Sequence, residues 1–533
     1  MSLIGKPPCD DGVILQGGPA SPVSLWSQRW ALVAAILGSS MTFIDASVVN
    51  VALPAIQSGL HASAFEAQWV VESYALPLAA LLLVGGALGD RFGRCRMIAI
   101  GIVVFTLASM ACSWAADVHQ LIAARAVQGL GAALLVPGSL ALISASFPEH
   151  ERGRAIGIWS GLTGVASALG PIVGGFLIEH YSWAWAFRIN APIAVVVLSI
   201  LWRGVPESRG RSSDSPLDAW GPLLATVALG AVVYAFVEAP ARHWSSMPIR
   251  GALFIAAAAS VGFIAVELRS RAPMLPLALF RNADFLGANL LTLLLYAALG
   301  GALFFLPLEL IQVQGYGATA AGAALLPFIL IMFVMSRWAG GLVDRFGPMR
   351  PLIAGPAIAA VGFALLAVPG IEAGVSRYWS SFLPAVAVLG IGMTVTVAPL
   401  TTTVMNAAGP DFAGVASGIN NAVARTAGLL AIAIFGLVLA SVFGAQLDTW
   451  LREAHVPDAV SAALQTQRNK LAGIELPPGL DPAAASALGR SVKLSYLSGF
   501  RWVTLLGAAL ALMSSLAAWL LIGRQPAPPS HEA

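Results

Sequence analysis

Three ionisable side chains, Asp45, Glu72 and Arg125, stand inside long apolar segments of this sequence. A charge within a bilayer costs roughly 2.5–3.5 kcal/mol on insertion scales and is expected to face a cavity or a partner. At a rise of 1.5 Å per residue, Asp45 lies about 13 Å from the Pro54 end of its segment. Glu72 and Arg125 lie roughly 8 Å and about 9 Å from the same surface, so three ionisable groups share one layer. The chemistry this suggests is proton transfer. A carboxyl that changes partners between two states binds and releases a proton, because burial favours the neutral acid and a neighbouring guanidinium favours the anion. Asp45 is then the main carrier, Glu72 a second acidic site, and Arg125 the group that tunes them. The plainer reading is that Asp45 and Arg125 form a static pair locking two helices together.

A second set of groups lies at segment ends. The run Gly86-Ala-Leu-Gly-Asp90-Arg91-Phe92-Gly93, followed by Arg94, recurs as Gly340-Gly-Leu-Val-Asp344-Arg345-Phe346-Gly347. A carboxylate at either place can pair with an arginine or with the positive N-terminal end of a neighbouring helix. Made in one state and broken in another, that contact is a cytoplasmic gate. Otherwise the cations merely set topology and the aspartates neutralise them. Gly164, Gly170, Gly174 and Gly175, with Pro171, have the small-residue spacing that lets helices approach closely in lipid. Their functional reading is an interface that seals against leak. Asn50, Gln128, Glu309, Asn421 and Arg425 are further polar residues in apolar runs and are candidates for a substrate cavity. For Arg337, bonding to backbone carbonyls or facing the inner interface is a better reading than contact with substrate.

The elements that must position these groups follow from composition. The 533 residues are 58% hydrophobic and 10% charged, where soluble domains carry about 25% charge. About 20 apolar residues span a bilayer as a helix. Runs of that kind fall near 30–53, 67–89, 97–116, 119–146, 155–178, 187–203, 217–238, 250–268, 284–312, 319–341, 351–369, 380–404, 412–443 and 500–523. The expectation is an all-α membrane protein of about fourteen helices. Arginines such as Arg91, Arg94, Arg152, Arg154, Arg203, Arg345 and Arg350 crowd alternate loops, which the positive-inside rule makes cytoplasmic. Both termini are then cytoplasmic, and the polar stretch 444–498 lies outside, as a linker or as a cap over the mouth. Residues 1–27 hold no long apolar core, so the first helix is expected to act as the insertion signal. The repeated loop follows the second predicted helix and then the tenth. Two six-helix halves, 30–203 and 271–523, with two helices inserted at 204–270, account for that offset, leaving tails at 1–29 and 524–533. Repeated halves around a central site are the plan of secondary transporters.

The chain resembles the major facilitator superfamily, and within it the fourteen-span drug:proton antiporters of EmrB/QacA type. The similarity is carried by Ile44-Asp45-Ala-Ser-Val-Val-Asn50-Val-Ala-Leu-Pro54, by Gly86 to Arg96, and by Arg125-Ala-Val-Gln128-Gly129-Leu-Gly131. It extends through Gly164 to Gly175, similar to the antiporter signature of helix five, and Trp183 to Pro192. Glu309 departs from the pattern, standing where the family more often has an aromatic residue. The resemblance implies two six-helix bundles plus two inserted helices. It implies proton-coupled export of lipophilic, cationic compounds from the bacterial inner membrane, with a small-molecule substrate, protons and the bilayer as partners. The energy source is the proton gradient and no cofactor is implied; the outer loop could meet a periplasmic adaptor. The alternatives are a dedicated exporter of one metabolite, lipid or antibiotic, and a transporter-like sensor. No phosphate-binding loop, metal-ligand spacing or nucleophile motif is present, so ATP-driven pumping, metal binding, nucleic-acid binding and enzymatic catalysis are not expected.

Overall fold

The computed structural model describes residues 24–209, 220–270, 275–371, 374–409, 413–454 and 456–523. The expected tails therefore fall almost wholly outside the described residues, and so do the side chains of Asp344 and Arg337. Among the described residues, fourteen helices are long and apolar enough to span a membrane when the bent second helix is counted as one. They are α1 Leu25–Gly59, α2 Ala64–Phe92, α3 Arg94–Ser113, α4 Val118–Ser146, α5 Glu149–His180, α6 Asn190–Gly204 and α7 Trp220–Arg242. Then come α8 Met247–Arg269, α9 Ala283–Leu308, α10 Leu326–Gly340, α11 Met349–Leu366, α12 Leu383–Ala408, α13 Ala413–Glu453 and α14 Pro482–Leu521. Helices are required here because hydrocarbon offers no partner for backbone N–H and C=O groups.

Several helix starts are written in the sequence. Ser63 and Glu66 form a reciprocal capping box at α2, and Asp117, Asn282 and Asp481 cap α4, α9 and α14 through their side chains. Each such cap satisfies amides that the first turn leaves unpaired. Gly93 and Gly347 end the two copies of the repeated loop with φ of +112° and +72°, a conformation that favours a residue without Cβ.

Helices α1–α6 and α9–α14 form two six-helix bundles, with α7 and α8 between them in the chain. Helix α7 packs in the groove between α2 and α13, and α8 packs mainly on α7. The basic face carries the loops with Arg91, Arg94 and Arg345. On the opposite face the bundles meet directly. Gln57 accepts from Gln312 at 2.9 Å, and Gln68 donates to the Ile432 carbonyl at 2.8 Å. Glu179 at the end of α5 accepts from the Thr319 hydroxyl at 2.6 Å.

The expected polar stretch 444–498 is shorter in the structure. α13 runs 41 residues to Glu453 and α14 starts at Pro482 and runs 40, so only 454–481 lies between them. At 1.5 Å per residue each helix is about 60 Å long, roughly twice the hydrocarbon thickness. Hydropathy marks where a helix leaves the lipid, and Ala- and Leu-bearing polar sequence continues it into water. The intervening segment is a cap. It contains the helix Asp458–Thr466 and the turn Arg468–Gly473, buries Leu464 and Leu471, and pairs Arg468 with Asp448 at 3.0 Å. It packs against α1 and α2 of one bundle and α13 and α14 of the other.

The crossing of α2 and α4 depends on a glycine that the repeated loop did not single out. A Cβ on Gly85 would overlap the Ala133 carbonyl of α4, whereas one on Gly86 would lie 3.6 Å from Pro137. An Ala in place of a helical Gly gains up to about 1 kcal/mol, but overpacking against backbone costs about 1–3 kcal/mol. Gly85→Ala is therefore expected to lower the unfolding midpoint in detergent while Gly86→Ala holds or raises it. Equal midpoints would contradict the close approach.

Candidate functional site

Asp45 and Arg125 meet. Both are buried, and an Arg125 Nη1 donates to Asp45 Oδ2 at 2.5 Å. The other carboxylate oxygen, Oδ1, accepts from Gln128 Nε2 at 2.8 Å and from Asn190 Nδ2 at 3.2 Å. Arg125 also donates from Nη1 to Gln128 Oε1 at 2.8 Å and from Nε to the Val70 carbonyl at 3.0 Å. Its guanidinium lies 4.1 Å from the centroid of the Tyr74 ring, a cation–π contact. Asn190 reaches Ser109, whose hydroxyl donates in turn to the Phe187 carbonyl at 2.8 Å. The network thus ties α1, α2, α3, α4 and the start of α6.

The local sequence explains the convergence. Arg125 and Gln128 are three residues apart on α4 and share a face. Gly129 and Gly131 let α4 close on α2 and α3, since a Cβ on Gly131 would lie 2.6 Å from the Phe105 amide nitrogen. Helix α5 comes equally near: a Cβ on Gly174 would stand 2.5 Å from Val48, and one on Gly170 would overlap the Ser47 hydroxyl. Gly175 does the same across the bundles, where its Cβ would lie 2.6 Å from the Ala318 carbonyl oxygen. Pro171 lies beside Gly322 in that contact, and Gly164 is half-buried further toward the basic face.

Between the bundles is a cavity of about 350 Å³, walled by α1, α2, α4, α9 and α13. Of the candidates for its lining, Asn50 and Arg425 are in the wall. Gln128 is not; it is fully buried as a ligand of the Asp45–Arg125 pair. Asn421 lies one turn from Arg425, half-buried, and outside the lining. Glu309 is also displaced from this role. It begins a π-helical turn, Glu309–Val313, where it is wholly buried and accepts from Gln314 Nε2 at 2.9 Å.

Glu72 shares a layer with Asp45 in sequence but does not join its network. It is fully buried, and neither carboxylate oxygen has a hydrogen-bond partner among the described residues. Its helical face is that of Phe65, Trp69 and Leu76, which pack with Val233 and Val237 of α7 and Leu429 and Ala433 of α13. Depth along a helix fixed the layer, but rotation about the axis separated the two carboxyls. Asn190, Ser109 and Tyr74 were missed, although a lone amide or hydroxyl in an apolar run is itself the signal that a buried partner exists.

At the basic face, Arg94 pairs with Asp90 at 2.7 Å and donates to the Ala141 carbonyl of α4 at 3.3 Å. Glu207 caps the start of α3, accepting from the amides of Cys95 at 2.9 Å and Arg96 at 3.0 Å. Arg91 lies over Phe92, and Arg345 over Phe346 in the repeat. These contacts all stay within one bundle. Among the described residues, these gate side chains make no hydrogen bond or ion pair across the halves in this conformation.

Two bundles around a central cavity, with a buried carboxylate beside it, define a secondary membrane transporter. Residues 35–433 match the Major Facilitator Superfamily, and the chain belongs to it. The multidrug resistance protein Stp of Mycobacterium tuberculosis (strain CDC 1551 / Oshkosh) is 37% identical over 451 residues, 84% of this chain and 81% of its own. The tetracenomycin C resistance and export protein of Streptomyces glaucescens is 32% identical, covering 94% and 92%. The methylenomycin A resistance protein of Bacillus subtilis is 35% identical, covering 76% and 87%. Among solved structures, an inward-facing bacterial homolog of the human lysosomal transporter Spinster superposes with a TM-score of 0.65 at 17% identity, covering 93% and 97%. A D-xylose-proton symporter gives 0.58 at 16%, covering 92% and 97%. The expected fold, two six-helix bundles with an inserted pair, is therefore correct, and the chain is a transporter and not an enzyme.

The Asp45–Arg125 pair makes a stability prediction of its own. Removing one partner of a buried pair costs about 3–5 kcal/mol, because the other is left uncompensated. Asp45→Ala should lower the melting midpoint sharply, and the double variant Asp45→Ala/Arg125→Leu should recover much of the loss. Additive losses in the thermal melt would contradict direct coupling.

Proposed function

We propose that the protein is a proton-coupled exporter of small antibiotic-like molecules, working by alternating access in the bacterial inner membrane. The observation that carries this reading is the Asp45–Arg125–Gln128–Asn190 network, whose Arg125 also lines the cavity between the bundles. A change at the cavity can thereby alter how Asp45 is held, and the charge of Asp45 can alter the cavity. The names of the relatives, resistance and export proteins for tetracenomycin C, methylenomycin A and multiple drugs, support the export direction.

The basic face is cytoplasmic by the positive-inside rule, which places both termini inside and the 454–481 cap outside. The contacts between bundles cluster on the capped face, so this conformation is inward-facing. The α5 contacts at Gly175 and Pro171 form the outer seal. Asp90 and Arg94, with Arg91 and the repeat Asp344 and Arg345, become the inner gate when the bundles rock together. Glu72 is a second acidic site, independent of Asp45, against the inserted helix α7. Burying its carboxyl as an anion without a donor would be costly, so protonation there is coupled to how α2, α7 and α13 pack. Inward proton flow supplies roughly 1.4 kcal/mol per pH unit and about 2.3 kcal/mol per 100 mV. Among the described residues the cavity wall carries Arg125 and Arg425 and no carboxylate, which favours anionic or neutral substrates over the lipophilic cations expected from Asp45 and Glu72.

The test is substrate-triggered proton release from acid-loaded inverted vesicles, across a panel of drugs of differing charge. Wild type should release protons on adding a substrate, and Asp45→Asn should reduce the rate by about tenfold or more, the loss expected of a removed proton carrier. An unchanged rate in Asp45→Asn would refute Asp45 as the carrier.

A further inference from the structure

The charge of the cavity follows from which ionisable groups reach its wall. Among the lining residues only Arg125 and Arg425 are ionisable to a full charge at neutral pH. Arg125 is already neutralised by Asp45. Glu72 is turned toward α7 and α13, and Glu309 is buried in its π-helical turn against Gln314. Arg425 has no hydrogen bond or ion pair among the described residues. A guanidinium does not deprotonate in proteins, so the cavity presents one uncompensated positive charge, in a setting where charge is expensive.

The rest of the wall extends the description. Tyr74 has a hydroxyl with no partner among the described residues, and Asn50 has a carbonyl oxygen in the same condition. Phe43, Phe304 and Tyr296 add aromatic surface beside them. At about 350 Å³ the space falls within the range of small-molecule sites, roughly 300–1,000 Å³.

We infer that the substrate is a largely apolar or aromatic anion, a carboxylate or ionised phenol, whose charged oxygens are bound by Arg425. This rests on the export reading above and gives it a substrate class. Arginine binds a carboxylate through two parallel N–H···O bonds, stronger than neutral ones. The Tyr74 hydroxyl supplies a further donor, and the Asn50 carbonyl accepts from a hydroxyl or amide on the substrate. While Asp45 is ionised Arg125 stays paired with it, so Arg425 carries the recognition of the ligand's charge.

The experiment uses the purified full chain in detergent and fluorescence anisotropy with two xanthene dyes of similar shape, anionic fluorescein and cationic rhodamine 123. Fluorescein should bind wild type about tenfold or more tightly than rhodamine 123, as a charge-assisted bond implies. Arg425→Gln should weaken fluorescein by about the same factor, and Arg425→Lys should keep the preference for the anion. Arg425→Glu should reverse it. Tighter binding of rhodamine 123 to wild type, fluorescein affinity unchanged in Arg425→Gln, or no fluorescein binding by folded wild type would each overturn the inference. Binding needs no gradient, so it survives a failure of proton coupling. Conversely, proton release triggered by cations and unaffected by Arg425→Gln would overturn the substrate class and leave the export reading standing.

Discussion

A guanidinium deep in a helical bundle surrounded by lipid must find its counter-charge within the protein, and Arg125 finds it in Asp45. Much of the N-terminal bundle is arranged around that need. Helix α4 carries Arg125 and Gln128 on one face, and α1 brings the carboxylate. Helix α6 contributes its first residue, Asn190, and the α2 backbone offers the Val70 carbonyl. Glycines at 85, 129, 131, 170 and 174 draw the helices near enough for these bonds to close. The polar atoms and the small residues are therefore parts of one device. Without close packing the donors would miss the carboxylate, and without the donors the carboxylate could not remain buried.

The two bundles are repeats, yet they have shared out their charges unequally. The N-terminal bundle holds a compensated pair, and the C-terminal bundle presents Arg425 to the common cavity without an anion. Its buried polar contact between α9 and α13 is neutral, Asn420 donating to Asn289 at 3.1 Å and to Thr292 at 2.7 Å. This division separates two tasks that would interfere if they used one group. In the proposed export cycle, energy coupling would stay with a carboxyl that can gain and lose a proton, and ligand charge would be read by a residue that cannot. Arg125 is the link, bonded to the carboxylate and facing the cavity.

Much of the architecture was legible because a bilayer imposes simple rules. Apolar length gave the spans, and the displaced second copy of the Asp-Arg-Phe-Gly pattern gave the inserted pair. Pairing of Asp45 with Arg125 followed from the cost of leaving either alone at the same depth. What sequence spacing could not supply was rotation about a helix axis. That is why Glu72 was grouped with Asp45 although it faces α7, and why Gln128 was placed in the cavity although it ligates the carboxylate. Glu309 needed knowledge of a π-helical turn, which changes register by one residue without any mark in composition. Helix ends beyond the lipid were equally hidden, since polar residues in α13 and α14 read as loop.

The central claim is that Asp45 changes protonation when the cavity is occupied. Difference infrared spectroscopy of the purified protein, recorded before and after adding a transported compound, observes the carboxylic acid C=O stretch directly. The account predicts a substrate-induced change in that band which is missing from Asp45→Asn and present in Glu309→Gln. A band that does not respond to substrate, or that persists unchanged in Asp45→Asn, would mean that the Asp45–Arg125 pair is a fixed structural lock and that the proton is carried elsewhere.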